Sequence, residues 1–172
     1  MLSLKYEIAY LSNSGNTATL AREIAELLCE EEMRLVDLSY DDLAEDADVY
    51  FMGFGLNRGT VPMKIMDGLE LAEGKTVLLF ATCGMEPTEE YKASVERKIL
   101  PFLPDDCDYK GLFLCGGQFP EELVQKMQRV LRAQPENEQA KLFLQHHRKT
   151  CTHPNEQDLE ALRDFVWKHL EI

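Results

Sequence analysis

Between Tyr6 and Ile24 an apolar strand, a hydroxyl-rich turn and an amphipathic helix follow one another without a break, and this order narrows what the chain can build. Strand, loop and helix in direct succession set backbone N–H groups around the N-terminus of a helix, where its dipole favours an anion. The turn Ser12-Asn13-Ser14-Gly15-Asn16-Thr17 offers hydroxyls at Ser12, Ser14 and Thr17 and amides at Asn13 and Asn16. It has neither the lysine that a nucleoside-triphosphate loop sets before Ser/Thr nor the three spaced glycines of a dinucleotide loop. The next cation along the chain, Arg22, lies more than a helical turn further on. A neutral, donor-rich loop of this kind suits one terminal phosphate monoester held by many hydrogen bonds. The plainer reading of the same residues is a strand-turn-helix capped by Ser14 or Asn16.

The following helix carries Ala21, Ile24, Ala25 and Leu28 at helical spacing, so one face is expected to pack on a sheet. Arg34 to Leu38 reads as a second strand and Ser39 to Ala44 as a turn or brief helix. Ala47 to Phe54 holds the run Val49-Tyr50-Phe51-Met52, apolar at every position rather than alternately, as in a strand covered on both faces. Its exit, Gly53-Phe54-Gly55-Leu56-Asn57-Arg58-Gly59-Thr60, has three glycines in seven positions, which marks backbone in unusual conformations or against a ligand. A helix starts around Pro62. Lys75 to Ala81 is a fourth strand, running into Thr82-Cys83-Gly84-Met85-Glu86-Pro87. Thr88 caps a helix bearing Tyr91, Val95, Ile99 and Leu100, which Pro101 and Pro104 end. Tyr109 to Cys115 is a fifth strand, with Gly116-Gly117-Gln118 as its exit. Strands alternating with helices predict an α/β fold with a parallel sheet and right-handed crossovers.

More chain follows than a five-strand unit needs. Leu123, Val124, Met127, Val130 and Leu131 form a helical stripe, Gln134 to Asn137 breaks it, and Glu138 to His147 reads as a second, more polar helix. Asn155, with Asp158 three residues on, resembles a cap for a last helix that buries Leu159, Leu162, Val166 and Leu170. Trp167 on that helix is read as packing or surface.

Composition bounds the function. The 172 residues, 45% hydrophobic and 28% charged, fit one domain over residues 1–172. No apolar run is long enough for a membrane helix, and the N-terminus shows no leader pattern, so a cytoplasmic protein without membrane insertion is expected. The five cysteines are scattered, and neither they nor the histidines fall at zinc-ligand spacing. No metal site is expected; the cysteines read as free thiols and His146, His147 and His153 as surface residues. A net charge of −13 repels nucleic acid and favours a partner with a basic face.

The phosphate-loop residues 12–17 after an N-terminal strand resemble those of the flavodoxin family, which bind FMN. Four further pieces resemble one branch of it, found in anaerobic bacteria, which includes the flavodoxin-like accessory protein of bilirubin reductase. They are Gly53-Phe54 with Arg58-Gly59-Thr60, Thr82-Cys83-Gly84, Phe113-Leu114-Cys115 with Gly117, and His153 to Leu159. The resemblance implies a flavodoxin-like three-layer sandwich with a five-stranded parallel sheet of order 2-1-3-4-5 and an extra helical segment before the C-terminal helix. In that order the crevice opens at the carboxyl ends of strands one and three, which brings the first two loops together. The implied FMN contacts are Ser12, Asn13, Ser14, Gly15, Asn16 and Thr17 from the first loop, and Gly53, Phe54, Gly55, Leu56, Asn57, Arg58 and Gly59 from the second. Thr82, Cys83, Gly84, Met85 and Tyr91 complete the set. Relatives usually carry an aromatic, commonly Trp, in the second loop; here Gly55 follows Phe54, leaving Phe54, Leu56 or Met85 to cover one face of the ring and Tyr91 the other. The implied role is electron carriage to or from a flavoprotein reductase or acceptor oxidoreductase, with a bilirubin reductase or similar reductase as the partner. An NAD(P)H-dependent FMN or quinone reductase on the same fold stays open, with Gly117 to Thr150 as a wall, as does a flavin-free module of response-regulator type.

Overall fold

The structure is a computed structural model, and it describes residues 3–170. Among these, five strands alternate with helices: β1 Lys5–Leu11, α1 Asn16–Leu27, β2 Glu32–Asp37, β3 Val49–Gly55, α2 Met63–Gly68, β4 Thr76–Cys83, α3 Glu89–Ile99 and β5 Asp108–Gly116. Three helices follow, α4 Glu121–Ala133, α5 Glu138–Thr150 and α6 Glu156–Leu170. All strand pairs are parallel and the order is β2-β1-β3-β4-β5, as the resemblance implied. None of these helices is long and apolar enough to cross a membrane.

The unbroken apolar run belongs to the central strand. Val49 and Phe51 of β3 face a layer built by Leu20, Ala21 and Ile24 of α1 and Leu162 and Val166 of α6. Tyr50, Met52 and Phe54 face the opposite layer, with Ile65 of α2 and Val95 and Ile99 of α3. Because side chains alternate along a strand, helices on both faces demand apolar residues at every position. Gly53 falls on the α1 side, and there the ring of Phe80, its cross-strand partner on β4, takes the space: a β-carbon at residue 53 would lie 2.1 Å from Phe80 Cε2.

Local signals place several ends. Thr88 accepts a hydrogen bond from Tyr91 N at 3.1 Å and caps α3. Asn155 Oδ1 accepts from Asp158 N at 3.1 Å while Asp158 Oδ2 accepts from Asn155 N at 2.9 Å, a reciprocal capping box that starts α6. The same carboxylate meets His153 Nδ1 at 2.6 Å. Glu7 of β1 is 1% exposed, and its carboxylate is held by Arg34 Nε at 2.6 Å, by the second guanidinium nitrogen at 3.2 Å and by the backbone N–H of Ala44.

Helices α4 and α5 stand between β5 and α6 as a hairpin turned at residues 134–137, where Asn137 Oδ1 accepts from Ala140 N at 2.9 Å and caps α5. The apolar stripe of α4 is less buried than its spacing suggests. Only Val124 is buried, and Leu123, Met127, Val130 and Leu131 stay partly open. His146 and His147 are half-buried rather than on the surface, each with its Nδ1 shut from water and without a partner.

Candidate functional site

At the carboxyl ends of β1, β3, β4 and β5 the exit loops surround one cavity of about 730 Å³, within the range of small-molecule sites. The first loop forms its polar end. Gly15 is the N-cap of α1 with φ +88°, a left-handed conformation that glycine adopts without strain, and no side chain caps the helix. The first-turn N–H groups of α1 are therefore left without an intrahelical acceptor. Ser12 Oγ accepts from Gly15 N at 3.1 Å, and Ser14 Oγ accepts from Asn16 Nδ2 at 2.8 Å, so both hydroxyls keep their protons to donate. Asn13, Ser14, Asn16 and Thr17 line the cavity, whereas Ser12 and Gly15 stand behind them as the frame of the turn.

Two of these residues are committed elsewhere. Asn16 Nδ2 donates to Ser14 Oγ and, at 2.7 Å, to Gln118 O, so the side chain ties the first loop to the exit of β5. Thr17 is 1% exposed, and its hydroxyl lies 2.9 Å from that of Thr82, itself buried, so the two share one hydrogen bond and one proton remains for a third group.

The second loop is placed in part as expected. Gly55, Leu56, Asn57, Arg58 and Gly59 line the cavity. A β-carbon at Gly55 would meet Oγ1 of Thr82 and of Thr17 at 3.7 and 3.8 Å, ordinary contacts that leave room for alanine. Phe54 is corrected: its ring is 0% exposed within the core and faces away from the cavity, because alternation along β3 directs even-numbered residues to the α2 and α3 side. Gly53 is likewise a packing position beneath Phe80 and not part of the wall. Asn57 to Thr60 makes a tight turn with positive φ at Arg58 (53°) and Gly59 (74°), closed by Thr60 N donating to Asn57 O at 2.9 Å. Lys98 Nζ donates to Gly59 O at 2.7 Å and braces the turn. Arg58 is the only cation on the wall, and no carboxylate lines it among the described residues.

From the third loop come Thr82, Cys83, Gly84 and Met85, with Tyr91 of α3 beside them. Burial pushes the Cys83 thiol up to about 12, so it is neutral near pH 7; its Sγ–H donates to Met85 O at 3.2 Å. The thiol is a weak nucleophile there. Because its folded value lies above the ordinary 9.0, its stabilising contribution is complete below pH 9 and is lost as pH climbs towards about 12. Burial also raises Tyr91, with the nearby Cys83 a smaller cause. Iodoacetamide at pH 8 is expected to label the exposed Cys29 in the folded protein and Cys83 only after denaturation, read by peptide mass mapping. Prompt labelling of Cys83 in native protein would contradict this burial.

A fourth wall comes from the segment Gly117 to Thr150 that the reductase alternative set there, although none of its side chains past Gly117 is among the expected cofactor contacts. Gly117, Gln118, Phe119 and Pro120 after β5, Leu123 and Met127 of α4, and Phe143 of α5 close the cavity with a mainly apolar surface. Phe119 and Phe143 face each other with ring centroids 4.3 Å apart at 38°. Leu123 and Met127 were visible only as two positions of a stripe whose spacing reads as core. The acids of the first turns of α3 and α4, Glu89, Glu90, Glu121 and Glu122, are exposed at this same end of the sheet, as is Glu86, paired with Lys149 at 2.9 Å.

The Flavodoxin domain family matches residues 7–167. The chain belongs to the flavodoxin family. The flavodoxin-like domain-containing protein BilS of Clostridioides difficile is 31% identical over 168 residues, covering 95% of this chain and 94% of that protein. BilS of Clostridium symbiosum is 26% identical over 180 residues with the same coverage, 95% and 94%. Among solved structures, a short-chain flavodoxin associated with a bacterial microcompartment superposes with a TM-score of 0.62 at 14% identity, over 98% of this chain and 97% of that one. Oxidised flavodoxin 1 of Bacillus cereus gives 0.52 at 18% identity, over 88% and 99%. Membership makes this a flavodoxin-type redox protein, and the cavity suits a flavin in chemistry: an uncapped helix N-terminus with hydroxyl donors, together with aromatic and aliphatic side chains.

Proposed function

We propose that the protein binds FMN in this cavity and carries electrons to or from a larger oxidoreductase, a bilirubin reductase or similar enzyme as the resemblance implies. The observation that carries the reading is the uncapped N-terminus of α1, which with Ser14 and Thr17 borders a cavity that Phe119 and Phe143 also line. Bound FMN supplies the transfer of one or two electrons. The chain's own residues orient it and exclude water. The first-turn N–H groups of α1 and the hydroxyls of Ser14 and Thr17 hold the phosphate, and Leu56, Met85 and Phe119 offer apolar surface to the ring.

The acidic rim suits a carrier. Glu89, Glu90, Glu121 and Glu122 are exposed in the first turns of α3 and α4, where they would steer the protein to a basic docking face. The purified protein is expected to show a flavin absorption band with one FMN per chain. NADH or NADPH alone is expected to reduce the holoprotein slowly, and an added flavoprotein reductase to do so rapidly. That second rate is expected to fall at about 0.5 M salt, where the Debye length is about 4 Å. Turnover of NAD(P)H with a quinone by the isolated protein, indifferent to salt, would instead establish an NAD(P)H-dependent reductase. The wall from α4 and α5 is what favours that second reading, since it deepens the cavity beyond the strand loops.

The first loop is expected to discriminate FMN from riboflavin. Thr17→Val weakens FMN by about 1.5–3 kcal/mol, the worth of a hydrogen bond to a charged oxygen, and leaves riboflavin nearly unchanged. Equal losses for both ligands in equilibrium titration would place the phosphate elsewhere.

A further inference from the structure

We propose that the flavin ring is covered by Phe119, braced by Phe143, and that Asn16 acts on the ring by positioning Phe119 rather than on the phosphate. The inference rests on the FMN reading and adds which residues hold the ring. Three aromatic side chains line the cavity, Tyr91, Phe119 and Phe143. Tyr91 is turned to the second loop: a β-carbon at Gly59 would lie 3.6 Å from its hydroxyl. The other two form one aromatic wall, half-buried, with centroids 4.3 Å apart.

Independent contacts fix that wall. Gly84 lacks the β-carbon that would come within 2.0 Å of Phe119 Cζ, so the ring lies directly on the third loop. Gly117 N donates to Cys83 O at 2.8 Å, and Asn16 Nδ2 donates to Gln118 O at 2.7 Å. A β-carbon at Gly117 would come within 2.7 Å of Asn16 Nδ2, so this approach also needs glycine. The segment is thus pinned between the first loop and the third loop, and its next residue, Phe119, lines the same cavity as Asn13, Ser14 and Thr17 of the first loop. Leu123 and Met127 continue the apolar surface, only half-buried in the protein alone. A flat apolar ring would cover them; a small polar occupant would leave them against water.

The chain with its flavin removed, titrated with FMN and with riboflavin by flavin fluorescence, tests this. Phe119→Leu keeps apolar bulk but removes the ring, and is expected to weaken both ligands alike by about two- to tenfold, the worth of aromatic stacking, with part of the quenched fluorescence returning. Phe119→Tyr, which restores a ring, returns both affinities to those of the wild type. Asn16→Ala is expected to reproduce the loss for both ligands, whereas Ser14→Ala weakens FMN alone. Unchanged riboflavin affinity in Phe119→Leu, or an Asn16→Ala effect confined to FMN, would overturn the proposal. Should Phe119→Leu fail to fold by circular dichroism, Phe143→Leu decides on the same criterion. A wild-type chain that binds neither ligand overturns the FMN reading itself, which separates the two failures.

Discussion

Arg34→Met is expected to lower the stability of the fold by about 3 kcal/mol, the low end for stranding one partner of a buried ion pair. Glu7 is 1% exposed on the second strand from the edge, and Arg34 supplies two of the three hydrogen bonds its carboxylate receives. Removing the guanidinium leaves a buried charge with the Ala44 N–H alone. The low end applies because the Arg34 side chain is 48% exposed, so water reaches part of the gap. For a chain of this size the loss corresponds to a fall in Tm of about 6–12 °C. Replacing Glu7 and Arg34 together by leucine removes the stranded charge and is expected to recover most of the stability. Calorimetry of the two variants decides it: a single variant as stable as the wild type would show that Glu7 is solvated or repartnered. The pair lies away from the cavity, so FMN affinity at low temperature is expected to stay unchanged in both.

Gly53→Ala is expected to cost a similar amount, about 3 kcal/mol, at the upper end of ordinary overpacking. The added carbon would lie 2.1 Å from Phe80 Cε2, and the ring it meets is 1% exposed between β4 and the α1 layer, with no open space to move into. Pairing it with Phe80→Leu, which withdraws the ring, should return part of the stability, since the two changes share one volume. Neither residue lines the cavity, so the folded fraction of each variant is expected to bind FMN normally. Loss of FMN from a fully stable Gly53→Ala protein would instead assign the glycine to the cofactor.

Several features were legible because their partners are near in the chain. The Thr88 cap, the Asn155 and Asp158 capping box and the strand-loop-helix around Gly15 each join residues within one helical turn. The continuous apolar run of β3 announced a strand covered on both faces, and the sheet places it in the centre. Phe54 misled because its position in the sequence, beside a glycine-rich loop, says nothing of its side. The period of two along β3 turns its ring into the α2 and α3 core, one residue short of the cavity.

The amino-acid sequence by itself thus determined the order of the elements, the parallel α/β class and the donor-bearing turn before α1. Hydrophobic period, glycine placement and capping chemistry act between residues a few positions apart, and they read the same whatever the rest of the chain does. Tertiary structure alone decided which side chains of the segment Gly117 to Thr150 reach the cavity. Asn16 meets Gln118 across 102 positions, Phe119 lies on Gly84, and Phe143 arrives from α5. Those contacts depend on strand order, on register and on how the α4–α5 hairpin folds back. No local pattern encodes them, because each joins residues of different elements that lie far apart in the chain.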